Sequence, residues 1–441
     1  MTTVGHAVSA PGLAAGIWPR TTRLEPGGEI SVGGVSLGDL AARYGTPAYI
    51  VSEADVRYRC QAYREAFPGA EIAYAGKAFM SRAMIRWIDQ EGLALDVCSA
   101  GELAVARAVS FPARRILLHG NAKTPGDLHA AVSYGVGRIV LDSAAEIVRV
   151  AMAARRRQQV LIRVTPGVDA HAHRAVATGI EDQKFGFSLS SGAAADAVRR
   201  VLAHPELELV GLHCHLGSQI TRPEPYEIAA RRLIALLAAV HAEHGLALPE
   251  LNLGGGHAVP YVSGDEAFDL AGFAARITRA VRGECAAFGL PAPRLTLEPG
   301  RAIIGRAMVA LYRVLAIKHA PGGRTFVAVD GGMSDNPRPA LYGARYSAVV
   351  ARPAAGPGQP VTVVGRHCEA GDVIARDVLL PADTRPGDLL AVPGAGAYQH
   401  SMASNYNMIG RPPVVAVREG TARLLIRRET ESDMLRRDIG L

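Results

Sequence analysis

Eight short apolar runs recur between Glu71 and Glu298, most of them separated by stretches long enough for a helix. They read EIAYAGK (71–77), LALDVC (93–98), RILLHG (115–120), RIVLDS (138–143), VLIRVTPG (160–167), LVGLHCHLGS (209–218), ELNLGGG (250–256) and RLTLEPG (294–300). Continuous Val-, Ile- and Leu-rich runs of this length are what strands covered on both faces of a parallel sheet look like. Eight βα units in succession predict a TIM (β/α)8 barrel, a fold whose chemistry is built at the carboxyl ends of the strands. Those ends carry Lys77, Cys98, His119, Asp142, His215, Gly254 to Gly256 and Glu298.

A chain of 441 residues exceeds one barrel of about 250 residues, so a second domain is expected. The barrel is expected over 47–310. From 311 the pattern changes to short strands between Gly, Pro and Asp turns: LYRVLAIKH, TFVAVDGG, PVTVVGRHC, DLLAVPGAG, PVVAVREG and TARLLIRRE. Such runs suit a mostly β domain, a sandwich or small barrel. EISVGGVSL (29–37) suggests a hairpin, and residues 1–46 are assigned with 311–441 to this second domain.

No apolar run approaches the roughly 20 residues that span a bilayer, and the N-terminus lacks a basic, apolar, small-residue signal pattern. A cytoplasmic location without membrane attachment is expected. The five cysteines are widely spaced and form no CxxC pair, which argues for reduced thiols and against a disulfide framework or a bound metal. The net charge of +7 is spread over scattered arginines. Its longest run, Arg155 to Arg157, closes an Ala-rich helix and reads as a solvated end rather than a nucleic-acid patch.

Lys77 closes the first run in YAGKAF, where a partly desolvated ammonium would lose its proton more easily and serve as a nucleophile toward a carbonyl; a surface lysine at a strand end is the plainer alternative. In HCHLGS, His213 and His215 are two apart, so strand alternation sends both to one face. No nearby ligand completes a metal set, and an imidazole stacked on an aromatic ring with Ser218 near a phosphate fits better, His213 being the stronger candidate for a hydrogen-bonded core residue. The glycines of LNLGGGHAVPY permit close backbone approach to an anion after strand seven, where TIM barrels often bind phosphate. Glu298, in EPGR, can keep a pyridine nitrogen protonated, and Gly300 and Arg301 can serve a phosphate or carboxylate. A glutamate at a pyridinium together with a Schiff-base lysine points to pyridoxal phosphate. In the second domain, DGGMSDNPRPALYGARY offers Arg338 and Tyr342 to a carboxylate, and GRHCEAGD offers Cys368 as a proton donor.

In combination, these motifs resemble the diaminopimelate decarboxylase family, within fold type III, the alanine-racemase-like class of pyridoxal-phosphate enzymes that also holds ornithine and arginine decarboxylases. The resemblance runs from about Leu37 to Glu429, with the motifs in family order. It implies pyridoxal 5'-phosphate as cofactor and the decarboxylation of meso-2,6-diaminopimelate to L-lysine and CO2, the last step of lysine biosynthesis. It further implies a homodimer with active sites at the interface. By the same resemblance Lys77 carries the cofactor covalently, His215 stacks on its ring and Glu298 pairs with the ring nitrogen. Ser218, Gly255, Gly256, Gly300, Arg301 and Tyr398 surround the phosphate or its neighbourhood. Arg301, Arg338, Tyr342 and Tyr398 contact the substrate. Cys368 is the acid that protonates Cα and Glu369 holds the distal ammonium, both contributed in trans.

Three departures stand out: HGNAK for HGNNK at 119–123, LNLGGGHA for LDLGGGLG at 251–258, and CEAGD for CESGD, with Ala370. The first two alter the pocket wall, and the third removes a hydroxyl from the distal end of the substrate. They leave open a paralogous decarboxylase acting on a related amino acid. A non-catalytic pyridoxal-binding relative is a third reading, against which the retention of Lys77 and Cys368 speaks.

Overall fold

The computed structural model describes residues 13–14, 16–169, 179–181, 184–353 and 357–440. The chain divides into two compact units: one comprises Arg59–Ala258 and Phe268–Ala302, the other the residues up to Tyr58, Val259–Ala267 and Ile303 onward.

In the first unit each predicted run contains a strand: β1 (Glu71–Ala75), β2 (Ala94–Val97), β3 (Ile116–Leu118), β4 (Arg138–Leu141), β5 (Gln158–Thr165), β6 (Leu207–His213), β7 (Glu250–Asn252) and β8 (Arg294–Leu297). Every strand pairs in parallel with the next, and β8 pairs with β1, so the sheet closes into the expected TIM barrel. Several helices begin directly beyond the strand ends at polar caps. Ser81 accepts from the Met84 amide, Ser99 from that of Glu102, and Thr124 forms a reciprocal box with Asp127. Each cap satisfies a backbone donor the helix cannot pair, a contribution of about 1 kcal/mol.

Strand alternation sorts the barrel interior into tiers. At the amino ends, Arg138 is gripped by Glu250 at 2.6 and 2.7 Å and by Glu71 at 2.5 Å, while Thr296 donates to Glu250 at 3.0 Å. Pairing of this quality is what makes a buried guanidinium tolerable. Above it Ala73, Ala94, Leu117, Val140, Leu161 and Val210 form one apolar cluster. Two residues beyond Ala94, Leu117, Val140 and Leu161 the positions turn polar and stay buried at Asp96, His119, Asp142 and Arg163, while Asn252 and Glu298, also buried, lie two residues beyond Glu250 and Thr296.

The second unit is built on a nine-stranded sheet that includes all six predicted C-terminal runs. Three of its strands lie outside the sequence expectation, one of them the two-residue Val349–Val350, which pairs antiparallel with Leu389–Pro393. Val373–Pro381 pairs antiparallel with Gly358–Val364. Ala48–Ser52 lies between Met308–His319, antiparallel, and Val414–Arg418, parallel. The stretch from 47 to 58 therefore belongs to this unit, as do Val259–Ala267, and the boundaries expected at 47 and 310 shift accordingly. The anticipated hairpin is a three-stranded antiparallel sheet of Thr22–Leu24, Ile30–Val32 and Val35–Ser36; residues 1–12 lie outside the described part. Ile17, Trp18, Ile30 and Val32 pack with Ile50, Val309, Leu311 and Val415, which fastens the N-terminal segment to the sheet.

Candidate active site

Glu298, one residue beyond β8, receives three donors. His119 Nε2 lies 2.7 Å and Asn252 Nδ2 2.8 Å from its Oε1, and His213 Nε2 lies 3.3 Å from Oε2. Burial would raise the carboxyl pKa, but the two imidazoles and their hydrogen bonds outweigh it and hold Glu298 well below the usual carboxylate range. The imidazoles diverge. Burial drives His213 down to about 4, whereas in His119 the carboxylates of Asp96 at 3.9 Å and Glu298 at 2.7 Å overcome burial and raise the pKa. The carboxylates thus favour the charged form of His119 and burial the neutral form of His213, whose Nδ1 is buried with no hydrogen-bond partner among the described residues. A carboxylate oxygen accepts two bonds. Oε1 has both and Oε2 one among the described residues, so Glu298 has room for one more donor.

Lys77 stands just past β1, in the short turn Gly76–Ala78. The side chain is exposed at the mouth, so the desolvation expected for it is not present in the chain itself. Its charge acts on Asp96, Cys98 and His215. Burial, Glu102 and Asp96 raise the Cys98 thiol to about 12, which leaves it protonated. β6 ends at His213, so strict alternation does not extend to His215. His215 is half-buried, accepts the Gly255 amide on Nδ1 at 3.3 Å, and is kept neutral by burial and by the Lys77 charge.

Each residue of the triple glycine is required by a close approach. A Cβ on Gly254 would sit 2.6 Å from the Cys214 carbonyl, one on Gly255 2.1 Å from that of Glu298, and one on Gly256 2.3 Å from that of Gly217. The turn thereby draws the ends of β6, β7 and β8 together. The Gly254 and Gly255 amides are used within it, by Asn252 Oδ1 and His215 Nδ1. Gly300 lets the loop after β8 lie against β1, since a Cβ there would be 3.0 Å from that of Ala75. Arg301 donates to Ser218 Oγ at 2.9 Å, which places a guanidinium and a hydroxyl side by side after β8 and β6.

In the second unit Cys368, Glu369 and Ala370 form an exposed tip on a pinned base. Asp372, buried, accepts the amides of His367 at 2.8 Å and Met333 at 2.6 Å, and also bonds His367 Nδ1 at 2.9 Å. His367 stacks flat on Tyr406 with ring centroids 5.7 Å apart, and the Cys368 amide reaches Asn407 at 3.2 Å. Arg338 is buried, donates to the Tyr346 hydroxyl and lies over the Tyr261 ring at 4.7 Å. Arg338 opens and Tyr342 ends the short helix Arg338–Tyr342, with Tyr342 half-buried. Tyr398, also half-buried, has φ of 60°, a left-handed backbone that a tyrosine holds only when its surroundings impose it.

The roles of His119, His213, Asn252 and Asp372 escape motif reading. The available signal for the first three was alternation, which puts 119, 213 and 252 on the inner face with 298.

A carboxylate held anionic with one acceptor site left, a lysine amine at the mouth, a neutral imidazole and an Arg–Ser pair suit a pyridinium ring bearing an aldehyde and a phosphate; the donor set fits pyridoxal phosphate. The family model for the pyridoxal-dependent decarboxylase, pyridoxal binding domain, matches residues 53–305. The chain is 59% identical over 429 residues to a diaminopimelate decarboxylase of Actinosynnema pretiosum subsp. auranticum, covering 97% of each, and 42% identical over 427 residues to that of Bacillus subtilis, covering 95% of this chain and 97% of the relative. Among solved structures it resembles the diaminopimelate decarboxylase of M. jannaschii in complex with L-lysine, with a TM-score of 0.90, 31% identity and coverage of 96% and 98%. The chain belongs to the pyridoxal-dependent decarboxylase family, and its cofactor is pyridoxal phosphate. Among the described residues no helix is long and apolar enough to cross a membrane.

Proposed function

We propose that the chain decarboxylates meso-2,6-diaminopimelate to L-lysine and CO2 as the last step of lysine biosynthesis. The observation that carries this reading is Glu298, kept anionic in the barrel mouth by three donors with Lys77 at the same opening. Near full-length identity to relatives that bear this activity supports the substrate, as does a structural relative solved with L-lysine. Pyridoxal phosphate, when bound, supplies an electron sink for the pair left at Cα as CO2 departs. Lys77 would hold it through its amine. Glu298 holds a proton on the ring nitrogen. His215, neutral, offers a flat face to the ring, while Ser218, Gly255, Gly256, Gly300, Arg301 and Tyr398 would lie around the phosphate.

Substrate contacts are assigned to Arg301, Arg338, Tyr342 and Tyr398, with Glu369 on the distal ammonium and Cys368 returning a proton to Cα. The enzyme is read as a cytoplasmic homodimer in which Cys368 and Glu369 act in trans. An exposed tip on a rigid base supports this, because Cys368 and Glu369 are open to a second copy of the chain. The five free cysteines support a reducing compartment.

The test is CO2 release by the cofactor-loaded protein from a panel of amino acids. Release from meso-diaminopimelate, with none from ornithine, arginine or lysine, is the expected result. Release only from another amino acid would favour the paralogue reading, for which Ala370 is the specific observation. Cys368→Ala is expected to slow turnover by about 10²-fold or more, the scale of a lost general acid, while borohydride-trapped cofactor on Lys77 stays at the wild-type level by intact mass. A full rate would remove Cys368 from the reaction.

A further inference from the structure

Asn252 ends β7 beside Glu298, and its surroundings show what the side chain does. The side chain is fully buried and spans two partners: Nδ2 donates to Glu298 Oε1 at 2.8 Å, and Oδ1 accepts the Gly254 amide at 2.9 Å. The second bond fixes the first. Because the carbonyl end is claimed by a backbone N–H, the end toward Glu298 is the NH2 group. The other titratable groups facing Glu298 are His119, His213, His215, Cys214, Asp96 and Arg163. Glu298 therefore already has one acidic neighbour, Asp96, and Asn252 meets it with an uncharged donor.

We infer that Asn252 is a positioning residue that keeps Glu298 ionised through a hydrogen bond independent of pH. The inference rests on the reading above that Glu298 faces the ring nitrogen of pyridoxal phosphate. An aspartate at this position would share a proton with Glu298 at low pH and repel it once both ionise. An alanine would remove the donor without adding charge. A packing role alone predicts equal damage from the two substitutions at every pH.

The experiment titrates cofactor-free protein with pyridoxal phosphate between pH 6 and 9, for the wild type, Asn252→Asp and Asn252→Ala. A parallel ¹³C NMR titration follows the Glu298 carboxyl in the cofactor-free protein. For Asn252→Asp, the dissociation constant relative to wild type should rise roughly tenfold or more across this range, the equivalent of about one pKa unit. Asn252→Ala should weaken binding by a factor that does not change with pH. The NMR midpoint of Glu298 should move up in both variants, further in Asn252→Asp. An Asn252→Asp profile that follows the wild type or Asn252→Ala, with the Glu298 midpoint unmoved, would overturn the inference. If Asn252→Asp does not accumulate as folded protein, the Glu298 midpoint in Asn252→Ala decides alone: raised upholds the inference and unchanged ends it. A raised midpoint with unaltered cofactor affinity upholds control of Glu298 by Asn252 and refutes instead the placement of Glu298 at the ring.

Discussion

Replacing Lys77 with alanine is expected to erase both cofactor attachment and turnover. The loss should be about 10⁴-fold or more, because the amine proposed to place the cofactor is gone. Two measurements check it. After borohydride reduction the intact mass of Lys77→Ala should carry no cofactor adduct, and CO2 release should fall to background. The barrel should remain folded, since Lys77 is exposed in a three-residue turn and its removal opens no core. A persistent adduct would move the attachment point to another amine, and persistent turnover would end the assignment of this lysine.

The largest effect on stability is expected at Lys123→Met. Lys123 and Glu146 have side chains with 0% exposure and meet at 2.9 Å; the ammonium also donates to the carbonyls of Gly120 at 2.8 Å and Val140 at 2.6 Å. Glu146 accepts the Asp142 amide at 2.8 Å, so the pair fastens the segment after β3 to the end of β4. Removing the cation alone leaves a buried carboxylate without its counterion, which costs about 3–5 kcal/mol. The urea midpoint of the barrel's unfolding transition should fall steeply. Lys123→Met combined with Glu146→Leu should recover most of that loss, because an apolar replacement of a whole pair is often close to neutral. A double variant as unstable as the single one would show that the backbone bonds, rather than the ion pair, dominate.

The barrel was legible because its strands are wrapped on both faces and stand out as uninterrupted apolar runs. The candidate site residues of the barrel were legible because they follow those runs directly. Which polar residues point inward was harder to see. Asn252 reads as a change in the pocket wall, yet it lies two residues after Glu250, whose carboxylate grips Arg138 inside the barrel, and the same alternation turns it toward Glu298. His213 reads as a bonded core histidine, and it is one; only the fold shows that its bond goes to Glu298. Ala48–Ser52 was drawn into the barrel because its partners, Met308–Leu311 and Val414–Val417, are too distant in sequence for any local pattern to reveal. The exposure of Lys77 was not legible either, since solvent access depends on the surrounding loops rather than on the residues next to it.

The single carboxylate of Asp372, just after the Cys368–Ala370 tip, holds the backbone just before it, at His367, and ties both to a separate loop at Met333, and none of those bonds involves the tip's own side chains. The tip therefore behaves as an interchangeable head on a fixed bracket. Substitutions at 369 and 370 can change the chemistry of the tip without retuning the fold that presents it.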